Sequence, residues 1–148
     1  MHALEEIRRV LVPDGILIDL RPLADNWRVE VVSLREVKRT GRVEDLPVQT
    51  DGDISANDAM REVEKRGWFK RKQDELFPFF YSWDTPSEME DLIADDWSDF
   101  IGLSEELKKA TRSTWAIGDA DSRVRVRMKV FITKWRAAAQ SVRGASQS

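Results

Sequence analysis

The reading of this chain turns on residues 4–22, LEEIRRVLVPDGILIDLRP. Leu4, Ile7 and Leu11 fall at i, i+3 and i+7, with Val10 beside them, which makes one apolar stripe of a short helix. Glu5, Glu6, Arg8 and Arg9 occupy the other side. Pro13 disfavours the helical conformation at Val12, and Asp14-Gly15 supplies a turn, so the helix stops there. Ile16-Leu17-Ile18 then runs on without a polar break, closed by Asp19, Leu20, Arg21 and Pro22. A short unbroken apolar run predicts a strand buried on both faces, as in parallel sheets.

Working outward, residues 27–46 read as a strand followed by a charged, twisted ribbon. Trp27, Val29 and Val31 lie on one face, Arg28, Glu30 and Val32 on the other, and Thr40-Gly41 is the expected turn. Residues 47–53 read as a loop with Asp51-Gly52 as its turn. Ser55 opens a helix with Ala56, Ala59, Met60 and Val63 inward, and Gly67 ends it. Residues 68–83 are extended, and Pro78 marks a sheet edge or strand start. Thr85, Pro86 and Glu88 form a capping box and first turn for a helix that buries Met89, Leu92, Ile93, Trp97 and Phe100, stopped by Gly102. Ser104 opens another helix, with Leu107, Ala110, Thr111 and Trp115 inward. The clearest strand follows: Val124, Val126, Met128, Val130 and Ile132 alternate with Arg123, Arg125, Arg127 and Lys129. The expected organisation is a single domain over residues 1–136 and a frayed, small-residue tail over 137–148.

EIRRVLVPDGILIDLRP also resembles the late helix and fifth strand of class I (Rossmann-like) S-adenosylmethionine-dependent methyltransferases, where the usual wording is close to EIxRVLKPGGxLxxxxP. Val12 stands in place of the common lysine and Asp14 in place of the first of two glycines. The resemblance covers roughly twenty residues and implies an α/β fold: part of a Rossmann-like methyltransferase sheet made of its late strands, the last one antiparallel, with flanking helices and an inserted β ribbon. It implies S-adenosylmethionine as cofactor, held in that family by a glycine-rich loop after the first strand and an acidic residue ending the second. The glycines here are 15, 41, 52, 67, 102, 118 and 144, and no two lie close together. The chain is therefore expected to be the C-terminal half of such a fold, or a free-standing descendant. It would offer no cofactor-binding residue and be inactive without the cofactor-binding half. Such a half would leave an exposed sheet edge, which suggests pairing with a second copy or a separate chain. The alternative is a non-catalytic α+β interaction or small-ligand-binding module, possibly a homodimer, with a pocket lined by Tyr81, Trp83 and Trp27.

Composition narrows the chemistry. The chain has 148 residues, 41% hydrophobic and 34% charged, with 24 Lys+Arg against 27 Asp+Glu. A net charge of -3 gives no global pull toward nucleic acid. Cysteine is absent and the single histidine is His2, which excludes disulfides, thiolate metal sites and the Ser/His and Cys/His nucleophile pairs. No apolar run reaches a membrane-spanning length and no signal peptide is visible, so the cytoplasm is the expected location. No catalytic residue is assigned, since methyl transfer needs mainly proximity and alignment of an activated sulfonium.

Four groups remain as candidates. Arg21, at the carboxyl end of its strand, sits where open α/β sheets bind ligands, with Trp27 and Arg28 just beyond. Tyr81 and Trp83, in the aromatic run 77–83, are candidate walls of a small-molecule substrate pocket, against the plainer reading that such a strand fills the core. Arg123, Arg125, Arg127 and Lys129 are a candidate anion surface, against a solvated face balanced by helix carboxylates. Asp91, Asp95 and Asp99 share a helical stripe with Asp96 beside it, but no histidine or wrapping turn accompanies them, so a solvated face is expected and no metal site is assigned.

Overall fold

Local chemistry sets most of the elements. In the computed structural model, which describes residues 2–139, the opening helix α1 spans His2–Val10 and strand β1 spans Ile16–Pro22. Asp14, not Gly15, takes the left-handed backbone between them (φ 64°), which its short polar side chain tolerates. Gly15 is required by space: a Cβ there would stand 2.8 Å from the Val12 carbonyl oxygen.

The chain continues as β2 (Arg28–Val32), β3 (Val37–Arg42), β4 (Glu44–Asp45), α2 (Pro47–Lys65) and β5 (Phe69–Trp83). It then forms α3 (Pro86–Leu92), a π-helical turn at Ile93–Trp97, β6 (Ile101–Gly102), α4 (Glu105–Ala116) and β7 (Arg123–Ala137). The expected caps are made. Thr85 Oγ1 accepts the Glu88 N–H at 3.2 Å, the Glu88 carboxylate accepts the Asp84 N–H at 3.1 Å, and Ser104 Oγ accepts the Leu107 N–H at 3.0 Å.

Three boundaries differ from expectation. Helix α2 starts at Pro47, and Asp51-Gly52 lies inside it. Pro47 suits a first helical turn, and Gly52 lowers helix stability by only about 1 kcal/mol. Thr40-Gly41 is not the hairpin turn; the chain reverses at Ser33, whose N–H reaches the Glu36 carbonyl at 2.9 Å. Gly41 instead marks a bulge in β3, where the pairing shifts between Val29 and Glu30. Gly102 ends no helix: it pairs in β6 with Glu44 of β4, and Phe100 before it is exposed.

The residues sort into two compact units. The first holds residues 2–21, 54–76 and 131–139; the second holds 22–53 and 77–130. Strands β5 and β7 contribute to both. In the first unit, Met60 and Val63 of α2, Phe69 of β5 and Trp135 and Ala137 of β7 are buried together, with Leu4, Ile7, Leu11 and Leu17 against them. In the second, Trp27, Val29, Met89, Ile93, Ile101, Leu107, Val124, Val126 and Met128 form the core.

The expected Rossmann-like sheet gives way to a mostly antiparallel one. Five strands run in the order β1-β7-β2-β3, with β5 also on β7, and β4 pairs with β6 apart from them. Strand β2 is antiparallel to β3 and to the first five residues of β7. Within the first unit, the Asp14 N–H reaches the Ala137 carbonyl at 3.1 Å and the Ala137 N–H reaches the Gly15 carbonyl at 2.8 Å. The next amide, Ala138, donates to the Trp68 carbonyl at 2.9 Å, so consecutive amides serve β1 on one edge and the start of β5 on the other.

Burial corrects three further expectations. Strand β1 is not buried on both faces: Leu17 packs inward, while Ile16, Ile18 and Leu20 are 48%, 50% and 57% exposed. In β7 the buried positions are even-numbered from Val124 to Val130 but odd-numbered from Thr133 to Ala137, so Ile132 falls outside the core that strict alternation gave it. Ala137 belongs to β7 and is buried, not part of a frayed tail; residues 140–148 of that segment lie outside the described residues.

Candidate functional site

The five candidate residues fall in three places. Arg21 is in the first unit, where its guanidinium lies 3.1 Å from the Asp19 carboxylate and donates to Asn57 Oδ1 at 3.0 Å. All three sit on the side of β1 opposite Ile16, Ile18 and Leu20, and the pair is largely shielded (side chains 16% and 19% exposed). Among the described residues Arg21 Nε and Nη1 have no acceptor. An arginine held in this way is positioned, because breaking one contact would leave a shielded charge unpaired.

Trp27, Tyr81 and Trp83 come together in the second unit around a residue that sequence reasoning placed only in a helix core, Trp97. Its ring lies edge-on to Trp27 at 5.8 Å, to Tyr81 at 5.0 Å and to Trp83 at 6.0 Å. Tyr81 stacks on Trp83 at 6.2 Å and meets Phe79 edge-on at 5.6 Å. The spacing of two along β5 puts Phe79, Tyr81 and Trp83 on one face. The π-helical turn at Ile93–Trp97 carries Trp97 to them, and Trp27 is anchored by its Nε1–H to the Leu23 carbonyl at 2.7 Å. Trp27 is core, and Trp97, partly buried, packs against it. Phe79 and Tyr81, 45% and 43% exposed, are the part of the cluster that solvent or a ligand can reach.

Arg28 is not part of this cluster. Adjacent strand residues point to opposite faces, so it leaves Trp27 behind and joins Glu30 on the other side of the sheet. The basic strand divides there too. Arg125 Nε donates to Glu30 Oε1 at 2.8 Å, Arg123 pairs with Asp84 and Lys129 with Asp25 at 3.1 Å each, while Arg127 reaches no carboxylate among the described residues. The balancing carboxylates come from β2 and loops, not from helices. Phe80, a member of the aromatic run 77–83, lies under Arg125 with the guanidinium carbon 4.3 Å from its ring centre.

Asp91, Asp95, Asp96 and Asp99 are all exposed, and no group of three potential metal ligands gathers among the described residues. A hollow of about 180 Å³ in the first unit is lined by Ile18, Gln73, Asp74, Glu75, Ile132 and Lys134. That is smaller than the few hundred Å³ usual for small-molecule sites. No helix among the described residues is long and apolar enough to cross a membrane. Compared with protein-family models, with curated proteins and with solved structures, the chain matches none.

Proposed function

We infer that this chain is the substrate-side portion of an S-adenosylmethionine-dependent methyltransferase, acting in the cytoplasm and inactive without a cofactor-binding half. The observation that carries the reading is the place of β7 in the first unit, hydrogen-bonded to β1 on one edge and to β5 on the other. A last strand inserted antiparallel among earlier ones is what the EIRRVLVPDGILIDLRP resemblance implies for the end of that sheet, and β7 lies between β1 and β5. Two features lend support. Among the described residues strand β1 pairs only with β7, which leaves its second edge without a strand there, and its Ile16, Ile18 and Leu20 side chains are half exposed, as a face that another layer covers would be. On this reading the Tyr81 and Trp83 rings of the second unit serve a small-molecule methyl acceptor.

The test is a calorimetric titration with S-adenosylmethionine. The chain alone is expected to give no binding. Co-produced with a glycine-loop segment encoded in its neighbouring DNA, it is expected to bind. Binding by the 148 residues alone, or a co-produced segment that leaves the cofactor free, overturns the assignment. The same open edge of β1 also favours a second reading, a non-catalytic module that dimerises through its sheet. A stable dimer by sedimentation, with no cofactor binding in either form, would select it.

A further inference from the structure

Three neighbouring strands of the second unit deliver arginines to one face. Cross-strand pairing sets Arg28 of β2 opposite Arg42 of β3 and Arg127 of β7, and sets Glu30 opposite Arg39 and Arg125. Directly opposed residues share a face, so these five guanidinium groups surround a single carboxylate. Glu30 is buried and already engaged, 2.8 Å from Arg125 Nε and 3.9 Å from Arg28 Nη1. Arg42 donates to neutral acceptors, the Asp25 and Asn26 carbonyls, at 3.4 and 3.2 Å. Arg39 and Arg127 reach no carboxylate among the described residues, and Arg28 Nε has no acceptor. Partial burial, and then the charges of Arg39 and Arg127, hold the Arg28 pKa below its ordinary value against the opposing pull of Glu30. The face thus carries more positive charge than the protein neutralises.

The geometry points to a phosphate-binding site on this face, in which Arg28, Arg39 and Arg127 take the phosphate oxygens while Arg125 stays tied to Glu30. Arginine forks match tetrahedral oxyanions bidentately, and three of them suit a doubly charged phosphate better than a singly charged carboxylate. Strands lie about 4.8 Å apart, so β3, β2 and β7 present these groups across about 10 Å, the scale of one or two phosphates. Phe80, 39% exposed and beneath Arg125 and Arg127 on this face, gives the remainder of a phosphorylated ligand an apolar surface to rest on. The site is separate from the aromatic cluster and does not depend on the methyltransferase reading.

The experiment is calorimetric titration at low salt with inorganic phosphate, pyrophosphate and a short single-stranded oligothymidylate. The wild-type chain is expected to bind at least one of them. Arg39→Gln and Arg127→Gln should each weaken that binding about tenfold, and the double variant more, with melting temperatures unchanged or slightly raised. Arg127→Lys, which keeps the charge but loses the fork, should fall between wild type and Arg127→Gln. Binding of phosphate or pyrophosphate alone identifies a small phosphorylated ligand; binding of the oligonucleotide, with affinity falling steeply as salt rises, identifies a phosphodiester. No binding of any of the three up to millimolar concentration, or equal binding by the folded double variant, overturns the proposal.

Discussion

The two units leave different things uncovered. The first buries Phe69, Trp135 and Ala137 under its helices and leaves Ile16, Ile18 and Leu20 half in water. The second buries Val29, Val124 and Val126, and its outward face carries Arg28, Arg39, Arg125 and Arg127 around Glu30. A charged face is at home in solvent, and its excess of one sign asks only for a counter-ion. A row of aliphatic side chains gains about 25 cal/mol for each Å² removed from water, so it is stabilised by anything that covers it. The contrast separates a surface that an anion would neutralise from one that any apolar cover would stabilise.

Three substitutions sharpen or break this comparison. The largest effect is expected at the second unit's core. Trp27→Ala removes a buried ring, its edge contact with Trp97 and its hydrogen bond to Leu23, and should lower stability by about 3–5 kcal/mol in urea denaturation. A loss below about 1 kcal/mol would mean the aromatic cluster is not a packed core. Next comes Glu30→Gln, which leaves the five arginines without their shared carboxylate. It should cost about 2 kcal/mol and lose much of that cost as salt is added. An effect insensitive to salt would show that Glu30 acts through packing alone. Smallest is Ile18→Thr on the bare face of β1, expected within about 0.5 kcal/mol by the same measurement. A cost of several kcal/mol would show that this face is covered in solution.

How far the fold could be read from sequence depended on the range of the interactions involved. Helix starts at Thr85 and Ser104 were legible because a cap is decided within four residues. So was the hydrocarbon face of β7 as far as Val130, since alternation is local. Ile132 was misplaced because the buried face of β7 changes beyond Val130, and no local pattern reports which helices pack where. The two-sided burial expected of β1 failed for a related reason: Ile16-Leu17-Ile18 is written for two covered faces, yet the described residues cover one. The early start of α2 escaped because Asp51-Gly52 has the composition of a turn, although a glycine is only a modest penalty within a nineteen-residue helix. At the sites, Tyr81, Trp83 and Trp27 lie together in a cluster that also takes in Trp97. The arginine face was half visible, as the β7 series alone, because Arg28, Arg39 and Arg42 join it only through strand register. Phe80 joins it through β5, far away in the chain.

The half-exposed row of Ile16, Ile18 and Leu20 carries one more consequence. Hydrocarbon leaving water takes heat capacity with it, about 0.45 cal/K/mol for each Å². Anything that settles over β1 should therefore bind with an enthalpy that grows more negative on warming, and the slope of that enthalpy against temperature measures how much of the strand has been dried.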